Sequence, residues 1–125
     1  MRVIFLFIGN DFPPIVYDKL KNEYGNSLEI VGMTGNRNLN FVLEGRKVPY
    51  IRLDQLMFKK YDMLLVVGAQ AKMGVLLQNM RYIKAKISFE KVVLDRTFLM
   101  PGFSLEKYNE LRKKRVTIFV DLSMM

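Results

Sequence analysis

Val3-Ile4-Phe5-Leu6-Phe7-Ile8, halted at once by Gly9-Asn10, decides the reading of this chain. Six consecutive apolar residues, rich in β-branched and aromatic types and without polar alternation, suit a parallel strand covered on both faces. Pro13 and Pro14 then stand where a first helical turn begins, Val16, Leu20 and Tyr24 follow four apart, and Gly25 is placed to close the helix. The first strand is therefore expected at the centre of a sheet, with a helix packed against it.

Outward from that unit the same alternation continues. Leu28-Glu29-Ile30-Val31-Gly32-Met33 reads as a second strand, and Thr34-Gly35-Asn36-Arg37-Asn38 is rich in turn formers. No element is evident from there to Lys47. A short strand over 48–51 and a short helix over 53–60 lead to Asp62-Met63-Leu64-Leu65-Val66-Val67-Gly68, the strongest strand signal after the first. Met73, Leu76, Leu77, Met80 and Ile83 lie three or four apart on one face of a long helix, with Lys84 and Lys86 near its end and the Met side chains filling core.

Val92-Val93-Leu94 supplies a fifth strand, Pro101-Gly102 marks a loop, a helix follows over 104–114, and 116–120 reads as a sixth strand. Strands alternating with helices predict right-handed crossovers and an α/β fold. The expectation is a Rossmann-like three-layer domain, its parallel sheet in the order 3-2-1-4-5, with the sixth strand at an edge or detached. Residues 1–101 form that domain on this reading. Residues 102–125 form a linker helix and a terminal strand, which is also how a second domain beyond Met125 would begin.

At 125 residues, half of them hydrophobic and including nine Phe and six Tyr, the chain has the material for one packed core. The 20 Lys and Arg against 12 Asp and Glu give a charge of +8, suited to an anionic partner. The dense run Arg112-Lys113-Lys114-Arg115 closes a helix, where positive charge favours the dipole. No aromatic-rich RNA-binding signature accompanies it, so no specific nucleic-acid partner is expected. The absence of Cys and His removes disulfides, thiol nucleophiles, Cys/His metal sites and His-based acid–base chemistry. The longest apolar run is too short to cross a membrane and does not resemble a signal peptide, so a cytoplasmic location is expected.

In doubly wound sheets ligands bind beyond the carboxyl ends of the strands, where the strand order reverses. That rule gathers Gly9, Asn10 and Asp11 after the first strand, Thr34, Asn36 and Arg37 after the second, and Gly68, Ala69 and Gln70 after the fourth. A dinucleotide-binding first turn has the pattern G-x-G-x-x-G, which brings backbone N–H groups to a pyrophosphate. Here Gly9-Asn10-Asp11-Phe12-Pro13-Pro14 holds one glycine, a carboxylate and two residues without an N–H, so a tight turn with a helix cap accounts for it better.

The acidic residue that would bind the ribose of NAD is missing between Met33 and Asn40. Thr34, Asn36 and Arg37 offer a place for a 2′-phosphate instead, since Arg pairs with phosphate through two parallel hydrogen bonds, but a plain turn accounts for them better. Tyr82 and Lys86 have the Tyr-x-x-x-Lys spacing of short-chain dehydrogenases, but Tyr17 and Lys21 share it on another helix, so the spacing does not single out a catalytic pair. Asp11, Asp62 and Asp95 stand singly near strand ends, and a local ion pair explains Asp95-Arg96, the adjacent charged pair near the predicted crevice, as well as a site does.

Tyr17-Asp18-Lys19-Leu20, Leu28-Glu29-Ile30-Val31-Gly32, Gly45-Arg46-Lys47-Val48-Pro49 and Tyr61-Asp62, taken in this order, carry a resemblance. The chain resembles the small Rossmann-like domain at the N-terminus of bacterial exopolysaccharide and capsular polysaccharide biosynthesis proteins. The segment 98–112, Phe98-Leu99-Met100-Pro101-Gly102 onward, is similar to the linker helix of an uncharacterised exopolysaccharide-biosynthesis family. The resemblance implies an accessory domain that binds a nucleotide or sugar nucleotide, without catalysis of its own, beside a second domain or a partner protein of the pathway. The alternatives are an NADP-dependent sugar-nucleotide oxidoreductase using Tyr82 and Lys86, and a structural or docking domain with an empty crevice. NAD(P) and sugar nucleotides are accordingly the candidate ligands.

Overall fold

The structure is a computed structural model that describes residues 1–10, 12, 14–68, 92–95, 106 and 116–121, the side chains of 57, 92–95, 116, 119 and 121 excepted. Asp11, Ala69, Gln70, Tyr82, Lys86, Arg96 and the basic run at 112–115 lie outside the described residues. So do the long helix expected around residues 73–86 and, Glu106 apart, the helix over 104–114.

Strand β1 spans Arg2–Phe7 and alternates its apolar side chains between two cores. Val3, Phe5 and Phe7 point to the face covered by helix α1, Pro14–Tyr24, which buries Val16 and Leu20 against them. Ile4 and Leu6 point the other way, onto Ile51, Leu56 and Tyr61. Each fully buried aliphatic side chain here contributes about 1.5–3 kcal/mol of transfer free energy, which is why this strand carries no polar residue after Arg2. A 3₁₀ turn over Gly25–Ser27 ends the helix, with Gly25 at φ 54°.

Strand β2, Glu29–Thr34, runs parallel to β1. It carries one extra residue between the partners of Val3 and Ile4, so that Ile30 faces Val3 but Gly32 faces Ile4. Strand β5, Met63–Gly68, lies parallel on the other side of β1, from Val3↔Met63 to Phe7↔Val67. Its Met63, Leu65 and Val67 join the α1-side core and its Leu64 and Val66 the opposite one.

The remaining sheet strands are β6, Val92–Asp95, and β7, Val116–Asp121, both parallel. The five-stranded sheet has the order β2-β1-β5-β7-β6. This corrects the expected 3-2-1-4-5 order, in which the last strand stood at an edge or detached: β7 is inserted between β5 and β6. It pairs with β5 over six residues, where β6 offers four, and buries Ile118 and Val120 completely. A longer apolar strand gains more from a slot with neighbours on both sides, and the shorter one is left at the end of the strand order.

The expected third strand is reduced to one parallel bridge, Met33↔Tyr50. The Met33 N–H donates to the Pro49 carbonyl at 2.9 Å and the Ile51 N–H to the Met33 carbonyl at 2.7 Å. Pro49 has no N–H with which to extend the ladder. A Cβ on Gly32 would stand 2.8 Å from Cγ1 of Ile51 and 2.9 Å from the Pro49 carbonyl, so this approach requires glycine. Beyond it Leu53–Phe58 forms a 3₁₀ segment.

Between β2 and this bridge lies an antiparallel hairpin, β3 Val42–Leu43 and β4 Arg46–Lys47. Its turn residues Glu44 (φ 51°) and Gly45 (φ 78°) are both left-handed, as a two-residue hairpin of type I′ demands. Phe41 anchors it edge-to-face on Phe5, Phe7 and Phe12, with centroids 5.4, 5.0 and 4.6 Å apart. At the sheet's amino end the Arg2 N–H donates to Asp62 Oδ2 at 2.8 Å, and the Met1 ammonium donates to the Ser27 carbonyl at 2.8 Å. Among the described residues no helix is long and apolar enough to cross a membrane.

Candidate functional site

The carboxyl ends of β1 and β2 are tied together by one side chain. The Nδ2 group of Asn36 donates to the Gly9 carbonyl at 3.0 Å and to Asn10 Oδ1 at 2.7 Å. Its Oδ1 accepts from the Asn38 N–H at 3.1 Å, which shapes the following turn. Gly35, at φ 92°, allows the chain to swing into this position, and a Cβ there would strike the Phe7 carbonyl. Gly9, Asn10 and Asn36 are thus gathered at one place, but both amide hydrogens of Asn36 are engaged within the protein.

The other expected residues are placed differently. Thr34 is fully buried, and its hydroxyl has no hydrogen-bond partner among the described residues. It pairs with Leu6 and so sits inside the sheet rather than at the surface. Gly68 ends β5, and the Ile8 side chain occupies the space where its Cβ would be. It is a packing residue at the point where the strand order reverses.

Arg37 is exposed, with its guanidinium 5.4 Å from the centroid of the Tyr50 ring. At an exposed site such a cation–π contact is worth about 0.5–1 kcal/mol, enough to bias the rotamer. Around them opens a cleft of 470 Å³ completed by Arg52, Leu53 and Asp54. Arg52 is held by Asp54 in a two-pronged pair, Nε to Oδ1 at 3.0 Å and Nη2 to Oδ2 at 2.6 Å. Among the described residues that line the cleft, the positive charge of Arg37 is left uncompensated, and its N–H donors have no hydrogen-bond partner there. A guanidinium has the geometry to pair with an oxyanion.

Two further clefts flank the hairpin. One, of 510 Å³, lies between α1 and residues 39–44, and its polar lining is Asn10, Tyr17, Asp18, Asn40 and Glu44 over Phe12 and Phe41. The Tyr17 hydroxyl donates to Glu44, and its pKa is raised above the ordinary 10.0 by burial, then by the Glu44 charge and hydrogen bond, then by Asp18. The other, of 340 Å³, lies across Tyr17 and Glu44 and carries Lys21, Arg46 and Lys47. Asp62 is far from all three, at the amino end of β5. Burial pushes its carboxyl up, but the Arg2 N–H and guanidinium and the chain's amino group outweigh this and hold it below its usual value.

Tyr50, Arg52 and Glu44 were not singled out from the sequence. A signal existed for the first two, because residues that follow a third strand in a 3-2-1 arrangement adjoin the end of the second. No family model matches this chain, and no curated protein and no solved structure is significantly similar to it.

Proposed function

We propose that this chain is an accessory nucleotide- or sugar-nucleotide-binding domain of Rossmann-like three-layer type, serving surface-polysaccharide biosynthesis beside a second domain or partner protein and without catalysis of its own. The observation that carries the reading is Arg37, unpaired among the described residues and propped on Tyr50 beside the end of β2. A phosphate there meets a charged donor, an adjoining Arg52, and an aromatic ring. The net charge of +8 favours approach of any phosphorylated ligand. The polysaccharide setting draws its support from the sequence motifs around Tyr17, Leu28, Gly45 and Tyr61.

Ligand that binds only the folded chain raises the melting temperature, by the equivalent of about 2.7 kcal/mol at a hundredfold excess over Kd. Melting curves with NAD, NADP and UDP-, GDP- and CMP-sugars at millimolar concentration test the reading. At least one should raise the midpoint, and Arg37→Ala should weaken its binding about 10- to 100-fold, the worth of a charge-assisted hydrogen bond. No shift with any of them refutes nucleotide binding.

A further inference from the structure

We propose that the groove between α1 and the β3–β4 hairpin docks an extended peptide segment of a partner protein, one that carries a basic and an acidic side chain two residues apart. This goes beyond nucleotide binding and does not depend on it.

The two clefts that flank the hairpin form one groove. Tyr17, Leu43 and Glu44 line both the 510 Å³ cleft and the 340 Å³ one, so the two cavities adjoin. Both walls of the groove change sign in the same direction. On the helix, Asp18 lines the larger cleft and Lys21 the smaller. On the hairpin, Glu44 stands at the junction, and Arg46 and Lys47 line the smaller cleft. In a chain of charge +8 the larger cleft thus holds two carboxylates and neither Lys nor Arg, while three cations gather in the smaller.

Among the described residues none of these five charged groups forms an ion pair. A ligand of one sign is attracted at one end of the groove and repelled at the other, whereas a ligand carrying both signs is attracted at both. Apolar side chains accompany the charges. Phe12, Leu39 and Phe41 line the acidic end, and Leu28, Ile30 and Val48 the basic one. Phe41 and Val48 are buried and the other four half-buried, so apolar residues beside the ligand's charged pair find a surface to cover.

Spacing favours a peptide over a small zwitterion. Asp18 and Lys21 are three residues apart on α1, a rise of about 4.5 Å. An extended chain returns a side chain to the same face every second residue, about 6.5–7 Å further on. Alternate side chains of one strand therefore reach both ends of the groove. A free amino acid does not, because its ammonium and carboxylate share one carbon. The amides of Asn10 and Asn40 supply donors and acceptors of the kind that peptide N–H and C=O groups require. Asn10 uses its carbonyl oxygen on Asn36 and keeps its amide hydrogens.

The test is an amide chemical-shift titration of the native chain with capped seven-residue peptides, leucine at both ends and serine elsewhere except at the third and fifth positions. The peptide with lysine and glutamate at those positions, in one order or the other, should shift signals within 17–21 and 39–48. Its Kd should lie at least tenfold below those of the lysine–lysine, glutamate–glutamate and serine–serine peptides. The Asp18→Asn/Glu44→Gln variant should bind the glutamate–glutamate peptide as tightly as the mixed one. Lys21→Gln/Arg46→Gln/Lys47→Gln should do the same for the lysine–lysine peptide, with the dispersion of each spectrum reporting that the variant is folded. On the native chain, a glutamate–glutamate peptide that binds as tightly as the mixed one reduces the attraction to net charge and overturns the proposal. So do shifts confined to other residues, or none. Shifts of the same residues on concentrating the chain alone assign the groove to a second copy and also overturn it. Nucleotide binding, read by the melting curves, stands or falls separately.

Discussion

Replacing Asn36 by Ala removes the only described side chain that bridges the ends of β1 and β2. Three hydrogen bonds are lost, at 3.0, 2.7 and 3.1 Å. A net hydrogen bond is worth about 0.5–1.5 kcal/mol, but the bonds to Asn10 and Asn38 are exposed and water replaces much of them, so the expected loss is about 1–2 kcal/mol. Urea unfolding at pH 7 should show this as a lower midpoint with an unchanged slope. Asn36→Asp sharpens the test. It keeps the acceptor for the Asn38 N–H but turns an oxygen toward the Gly9 carbonyl and Asn10 Oδ1, so it should cost more than Ala although it is nearly isosteric. An Asn36→Ala chain within about 0.5 kcal/mol of native, the range of uninvolved surface changes, or an Asp variant as stable as native, would refute the bridge.

Gly32→Ala should destabilise by about 1–3 kcal/mol, the cost of overpacking, because Pro49 meets the new methyl with rigid backbone. Ile51→Val in the same chain should recover part of this, since the Ile51 side chain is the other obstacle, and a double-mutant cycle in urea reads the coupling. Asp62 has its folded pKa below its unfolded one, so its contribution is present above about pH 4 and is lost as pH falls through the folded value. Asp62→Asn should flatten the acid limb of the stability curve. Tyr17 has the opposite sign, a folded pKa above 10.0, so stability should fall as pH rises beyond about 10, and Tyr17→Phe should remove that share of the alkaline loss.

The parts of the fold legible in the sequence are those whose signal is local. Val3-Ile4-Phe5-Leu6-Phe7-Ile8 shows no alternation because each face of β1 meets a core of its own, and Val16 and Leu20 repeat at the helical period because one side of α1 is buried. The hairpin left no such trace. Its strands are two residues each, too short for a period, and Glu44-Gly45 lacks the Asn or Asp that usually announces a type I′ turn.

The site divides in the same way. Arg37 was legible as a basic residue after the second strand. Thr34 was expected beside it, yet the extra residue in β2 shifts Gly32, Met33 and Thr34 by one against β1, and a slip of one residue changes the face a side chain takes. Tyr50 and Arg52 reach Arg37 only because residues 49–51 hydrogen-bond to Met33, a contact made across the intervening hairpin.

From the sequence alone came a parallel α/β core centred on β1, a helix packed on it, and an excess of positive charge, because hydrophobic period, turn chemistry and composition are written in neighbouring residues. Tertiary structure alone decided that β7 enters between β5 and β6, that Asn36 closes the gap between two strand ends, and that the charge of Arg37 and the carboxylates of Asp18 and Glu44 open into separate clefts. Those outcomes depend on which strand gains most from two neighbours and on which loops meet in space, and neither depends on adjacency along the chain.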